Sequence, residues 1–166
     1  MNLIVGLGNI GEKYNNTYHN IGFECLDFLT HKAEFSIKKQ FLGEIYKQAD
    51  IIYLKPNTYM NNSGQAVLVV SQYYNIPDTN IMIIHDDSDI ALGQYKIQTN
   101  RGSGGHHGVD SIFQYISPAV TRIRIGIRAD RFIGQKAQNF VLRNISSEDK
   151  IILEQVYKQI QEALQS

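Results

Sequence analysis

Asn2-Leu3-Ile4-Val5-Gly6-Leu7-Gly8-Asn9-Ile10-Gly11 is the stretch on which the fold assignment turns. An apolar run ended by glycines reads as a buried strand followed by a tight turn. The spacing of Gly6, Gly8 and Gly11 also satisfies the glycine fingerprint of dinucleotide-binding folds. That fingerprint works only where a helix opens at the third glycine, so that its N-terminus meets a pyrophosphate. Here the chain continues Glu12-Lys13-Tyr14-Asn15-Asn16-Thr17-Tyr18-His19-Asn20, which is polar and has no apolar periodicity. The missing helix argues against NAD or FAD. What remains is a glycine turn at a strand end that sets Asn9 beside a site.

Working outward, strands and helices alternate. Ile21, Cys25, Phe28 and Leu29 recur at helical spacing, and Gly43 to Gln48 and Ile51 to Lys55 read as strands. Asn62 starts a helix in capping-box fashion with Gln65, carrying Ala66, Val69, Val70, Tyr73 and Tyr74 inward and stopping at Asn75 and Pro77. Asn80 to Ile84 is a third apolar strand ending in His85-Asp86-Asp87. Gln94 to Thr99 and Arg122 to Arg128 alternate as strands, the latter with its arginines on one face and its isoleucines on the other. Ser146 with Asp149 resembles a second capping box, ahead of a helix striped by Ile152, Val156, Ile160 and Ala163. The expected architecture is α/β, a single domain over residues 1–166 with one twisted mixed β-sheet covered by helices.

The 166 residues suffice for a real core, since a domain near this length buries roughly 70% of its unfolded surface. With 43% apolar and 19% charged residues, disorder is not indicated. No apolar run reaches the ~18 residues of a membrane span, and the N-terminus enters the first strand without a signal-type stretch. A cytoplasmic protein with no membrane partner is expected. The lone cysteine, Cys25, falls in a helical pattern and reads as a buried core thiol. The net charge is zero but segregated. Residues 1–90 carry 6 Lys/Arg against 10 Asp/Glu, residues 91–144 carry 8 against 2, and the tail 2 against 4. The basic set of the middle segment is Lys96, Arg101, Arg122, Arg124, Arg128, Arg131, Lys136 and Arg143. It reads equally as a phosphate-contacting surface, if the fold gathers it, or as a scattered solvated face.

Three groups carry candidate chemistry. His19 closes the polar loop before the first helix, Asp86 and Asp89 follow the third strand, and Asn9 follows the first. In open α/β sheets the carboxyl ends of strands are where sites assemble, so these residues can share one crevice. His85-Asp86-Asp87-Ser88-Asp89 also reads as a metal site, but no His-Glu-x-x-His helix and no acidic calcium loop supports it. Neither Ser63 nor Ser103 lies in a Gly-x-Ser-x-Gly elbow, which leaves general-base attack by water as the simplest chemistry. Arg101-Gly102-Ser103-Gly104-Gly105-His106-His107-Gly108 is a glycine-rich turn before a helix expected near Val109. It reads either as an anion-approaching turn or as an ordinary loop.

Taken in order, several motifs resemble the bacterial-type peptidyl-tRNA hydrolase family. They are Val5 to Gly11 with Tyr14, His19-Asn20-Ile21-Gly22, Lys55-Pro56-Asn57-Thr58-Tyr59-Met60-Asn61-Asn62-Ser63-Gly64, and His85 to Asp89. Gly104 to Gly108, Arg122-Ile123-Arg124-Ile125-Gly126-Ile127 and Asn139-Phe140-Val141-Leu142 complete the set. The resemblance implies a hydrolase that cuts the ester of peptidyl-tRNA, releasing peptide and free tRNA for reuse in translation and ribosome rescue. It further implies no cofactor, no metal, no obligatory protein partner and activity as a cytoplasmic monomer. By position it makes His19 the catalytic histidine and Asp86 the carboxylate that orients it. Asn9 and Asn61 would hold the peptide end, Tyr14, Tyr59 and Met60 would line the pocket, and His106 and His107 would belong to the site's rim. Arg124 would bind a tRNA phosphate, with Lys96 and Arg101 beside it.

The sequence departs from the family pattern in three places. His107 stands where asparagine is usual, which alters one substrate or tRNA contact. Gln98 stands where a phosphate-binding lysine is often found, so Lys96 and Arg101 are expected to supply that charge. The sequence stops soon after Leu164, short of the usual C-terminal extension, and some tRNA contact or lid stability is expected to be lost with it. The rival expectations are a non-catalytic RNA-binding member of the same fold and an esterase of small esters.

Overall fold

Two successive apolar faces on one short strand set the layering. Leu3 and Val5 of β1 (Asn2–Gly6) pack to one side and Ile4 to the other, so the strand is buried on both faces. The computed structural model describes residues 1–166. After β1 come α1 (Ile21–Leu29), β2 (Ser36–Lys38), β3 (Gly43–Gln48), β4 (Ile51–Pro56), α2 (Ser63–Tyr73) and β5 (Ile81–Ala91). The chain ends with β6 (Tyr95–Thr99), α3 (His107–Phe113), β7 (Thr121–Arg128) and α4 (Ser147–Gln165). The sheet order is β2-β3-β4-β1-β5-β7-β6. Its centre, β4-β1-β5-β7, is parallel, while β3, β2 and β6 add antiparallel strands at the flanks. This is the mixed sheet that the alternating pattern predicts.

Helices cover both faces. Ile21, Cys25 and Leu26 of α1 and Leu153, Val156 and Ile160 of α4 pack on Ile4, Ile84, Ile123, Ile125 and Ile127. Ala66, Val67 and Val70 of α2 with Val109 and Ile112 of α3 pack on Leu3, Val5, Ile81 and Ile83. No helix is long and apolar enough to cross a membrane.

Residues 12–20 contain only single 3-10 turns, Glu12–Tyr14 and Tyr18–Asn20, and the helix opens at Ile21. What fixes this segment is close contact. A Cβ on Gly22 would stand 2.5 Å from Leu7 N and O and 2.6 Å from Ile84 O, and one on Gly6 would stand 2.3 Å from Gly22 O. The first turn of α1 therefore lies directly on the strand ends. From the other side the segment is stitched to residues 141–145. His19 N–H donates to Val141 O at 2.8 Å and Ile145 N–H to Asn16 O at 2.8 Å. Tyr18, fully buried, donates its hydroxyl to Asp149 Oδ2 at 2.6 Å, and Arg131 Nη2 donates to the same carboxylate oxygen at 2.6 Å.

Some local expectations change. The strand assigned to Asn80–Ile84 runs on to Ala91, so the acidic run is strand and not loop. His85, Asp86 and Asp87 pair in register with Arg124, Ile125 and Gly126, and tertiary partners satisfy their side chains. Asn62 does occupy the N-cap of α2, but its side chain makes no cap bond. Instead Gly64 N–H donates to Ser111 Oγ of α3 at 3.0 Å. The Ser146 cap forms, accepting from Asp149 N–H at 3.2 Å, while the Asp149 carboxylate serves Tyr18 and Arg131. The arginine face of β7 is not solvated. Arg122 is 2% exposed because α3 and the glycine-rich turn lie over it. Edge strand β2, exposed throughout, carries too little pattern to be predicted.

Replacing Gly22 with Ala forces backbone apart at this contact. Overpacking of this kind costs about 1–3 kcal/mol. Urea unfolding is expected to show a lowered midpoint with an unchanged slope.

Candidate functional site

The carboxyl ends of the parallel strands open into a cavity of about 580 Å³. Its wall is built from separate parts of the chain. Asn9 follows β1, Tyr14 and His19 come from the segment before α1, and Tyr59, Met60 and Asn61 come from the β4–α2 connection. Asp86 comes from β5, and His106 and His107 from the start of α3. All the residues expected to be catalytic or to bind substrate thus lie on one cavity. Arg124, Lys96 and Arg101 do not line it.

At its centre Asp86, 2% exposed, is gripped from both sides of the sheet. His19 Nδ1 lies 3.0 and 2.9 Å from its two carboxylate oxygens, and His106 Nε2 lies 2.8 Å from Oδ1. The partners assign the tautomers. His106 Nδ1 accepts from Gly108 N–H at 3.2 Å and Val109 N–H at 3.4 Å, so the proton sits on Nε2 and is donated to Asp86. A carboxylate can only accept, so His19 donates from Nδ1 and its Nε2 is left as a lone pair.

The electrostatics follow from that geometry. Burial alone would raise the pKa of Asp86, but the charges and hydrogen bonds of His19 and His106 hold it well below the usual carboxylate range. Burial pushes His19 down, and the charge and hydrogen bond of Asp86 outweigh it, so its pKa lies above the ordinary imidazole value. His19, Asp86 and His106 could bring ligand atoms within 4.8 Å of one another, close enough to hold a cation. Doing so would move the His106 proton to Nδ1, where it would face two backbone N–H groups. The trio fits a hydrogen-bonded array better than a ligand set.

The flanking polar groups are oriented too. Asn20 clamps the backbone of Asn9, accepting from its N–H at 2.8 Å and donating to its O at 2.9 Å. Asn9 Oδ1 accepts from Met60 N–H at 2.8 Å, which turns the amide so that Nδ2 is available to the cavity. Tyr59, at φ 56 and ψ 160, holds a conformation that side chains rarely adopt, and its exposed ring meets Tyr14 edge-on at 6.3 Å. Asn61 and His107 are exposed on the wall.

The basic segment divides into two sets. Arg124 donates from Nε to Asp87 Oδ2 at 2.7 Å and from Nη1 to Gln98. Arg128 ties Ser88 O to Phe132 O and Gln135 O, Arg131 serves Asp149, and Arg122 is buried. Lys96, Arg101, Lys136 and Arg143 remain exposed. Lys136 lines the cavity with Gln138, Val141 and Leu142, a wall to which the sequence analysis assigned no role in the site. Only the Asn139 to Leu142 motif and the basic composition pointed there.

Comparison with known proteins agrees along the whole chain. The family model described as peptidyl-tRNA hydrolase matches residues 3–166. The peptidyl-tRNA hydrolase of Rickettsia bellii (strain OSU 85-389) is 43% identical over 166 residues, which cover 96% of this chain and 89% of that one. That of Sulfurovum sp. (strain NBC37-1) is 38% identical over 165 residues, covering 98% and 87%. The crystal structure of peptidyl-tRNA hydrolase from Acinetobacter baumannii superposes with a TM-score of 0.86 at 33% identity, over 98% of this chain and 85% of that one. A cavity of this make-up, on this sheet and with relatives of this similarity, leaves one assignment: the chain belongs to the peptidyl-tRNA hydrolase family.

Proposed function

We propose that His19, oriented by Asp86, takes a proton from water as that water attacks the ester carbonyl joining a peptide to its tRNA. The carbonyl π electrons move to oxygen and a tetrahedral intermediate forms. It collapses by expelling the ribose oxygen, to which His19 returns the proton, and free tRNA and peptide leave. The observation that carries this reading is the His19–Asp86 hydrogen bond, which leaves the imidazole Nε2 as a lone pair at the cavity. Asn9, through Nδ2, and Asn61 hold the peptide end, with Tyr14, Tyr59 and Met60 as the apolar wall. His106 completes the grip on Asp86, and His107 stands at the rim.

On this reading the chain acts as a cytoplasmic monomer in translation. It holds the acceptor end of tRNA mainly through phosphates and largely independently of sequence. Lys96 and Arg101, exposed, are the readiest phosphate contacts, while Arg124 has to share its guanidinium with Asp87. The family names argue against the rival of a non-catalytic RNA binder. The test offers N-acetyl-aminoacyl-tRNA, the same tRNA with a free amino group, and a small N-acyl ester, each with and without a chelator. Cleavage of the first, sparing of the second, little action on the third and no chelator effect are expected. Binding of intact tRNA without cleavage would establish the rival.

Removing His19 as Ala should leave the fold intact and lower kcat by roughly 10²–10⁴. The pH profile gives a sharper check. His19 works when neutral and its pKa lies above the ordinary ~6.5, so activity should rise with pH through a value above that figure and then level off. Asp86→Asn removes the charge that raises it. The plateau should drop while the acid limb moves to lower pH, and an unmoved limb would sink the assignment.

Arg124→Ala should weaken tRNA binding and flatten its salt dependence by about one unit of slope, a little less on single strands. Cleavage of a minimal substrate lacking the 5′ phosphate should hardly change. Equal losses on both substrates would mean that Arg124 only supports the Asp87 strand end.

A further inference from the structure

Beneath the glycine-rich rim lies a buried cation that the reaction does not use. Arg122 is 2% exposed and forms no ion pair with any carboxylate. A charge in such a place is strongly unfavourable unless hydrogen bonds saturate it. Its bonds all run to backbone and to one ring. Nη2 donates to Gly102 O at 2.6 Å and to Arg101 O at 3.4 Å, and Nη1 faces His85 Nε2 at 3.3 Å. The ring of Phe113 lies 5.8 Å from the guanidinium carbon.

His85 completes the chain of contacts. It is fully buried, and its Nδ1 lies 2.7 Å from Asp86 O, a carbonyl that can only accept. The proton therefore sits on Nδ1, and Nε2 is the lone pair that receives Arg122. The His85 ring also meets the His106 ring edge-on, with centroids 4.6 Å apart. Between Gly102 and His106 the rim has little else to hold it. Gly104 and Gly105 have positive φ angles of 66° and 84°, and a Cβ on either would touch nothing within 4 Å. Apart from the Arg122 bonds and the His106 ring's own bond to Asp86, the rim's tethers are short-range, Gly105 N–H to Ser103 Oγ at 3.1 Å and His106 N–H to Ser103 O at 3.4 Å.

We infer that Arg122 and His85 are positioning residues for the active site: the buried guanidinium ties the carbonyls of Arg101 and Gly102 to the strand carrying Asp86, and thereby sets where His106 meets that carboxylate. Arginine suits this task because its planar fork reaches two carbonyls and a ring nitrogen at once, whereas lysine is a point donor. His85 must stay neutral, since a second proton on Nε2 would point at the guanidinium. That the rim's position governs turnover rests on the reading of His19 and Asp86 given above. That Arg122 holds the rim does not.

Two measurements test this. In the ¹⁵N-labelled parent protein, long-range proton–nitrogen spectra should show His85 protonated at Nδ1 and bare at Nε2. The opposite tautomer would overturn the inference with no variant needed. Arg122→Lys keeps the charge but not the fork. Hydrogen exchange across residues 101–106 should then lose protection while amides of β1 and β5 keep theirs. At the same time kcat should fall about 10- to 100-fold, as slight misplacement of a catalytic constellation does, with KM little changed. The salt dependence of tRNA binding should match the parent's, because Arg122 meets no phosphate. Parent-like protection of the rim, or a salt slope lower by one unit, would refute the positioning role. The two readings fail separately: full turnover in Asp86→Asn would end the general-base assignment and leave the rim result standing.

Discussion

The burial of one ionised carboxylate governs the arrangement of the site. Asp86 sits at the carboxyl end of a central strand with almost no access to water, and such a charge persists only if donors surround it. Two imidazoles supply them, one from the turn before α1 and one from the turn before α3. Because each imidazole must donate to Asp86, each tautomer is set. His19 is left with a basic nitrogen at the cavity, whereas His106 is locked by two backbone N–H groups. The difference between a ring open to the cavity and a ring fixed on both nitrogens therefore comes from what each second nitrogen meets.

That grip requires both turns to reach the strand ends. On one side Gly6 and Gly22 allow helix and strand backbones to touch, and the bonds to Val141 and Asn16 close the segment from outside. On the other, Arg122 and His85 draw the glycine-rich rim down. Each side ends in a histidine on a short turn, and each turn is held by backbone contacts more than by its own side chains. The buried Tyr18–Asp149 pair, capped by the exposed Arg131, carries the first of these contacts through to α4.

Charge is also divided between folding and binding. The basic stretch of residues 91–144 suggests a nucleic-acid surface when counted, yet Arg122, Arg128 and Arg131 are spent on carbonyls and a carboxylate, and Arg124 is shared with Asp87. Lys96, Arg101, Lys136 and Arg143 are exposed without such a commitment, and Arg131 is exposed but paired with Asp149. A count along the chain cannot make this distinction, because arginine's fork serves carbonyl oxygens and phosphates alike.

The sequence by itself determined the layered α/β fold and put forward the candidate residues Asn9, His19, Asp86 and His106. Apolar periodicity and glycine placement are local properties that survive without neighbours, and ordered motifs carry the rest. It did not determine that His85, Asp86 and Asp87 continue a strand, because a polar strand end is stabilised by partners distant in sequence. Nor did it separate Arg122 from Arg124. Both lie on the same strand face two residues apart, and only the packing of α3 and the glycine-rich turn buries one and leaves the other partly open. The tautomers belong to the tertiary structure for the same reason. A ring proton goes where the nearest acceptor lies, and those acceptors come from other segments of the chain.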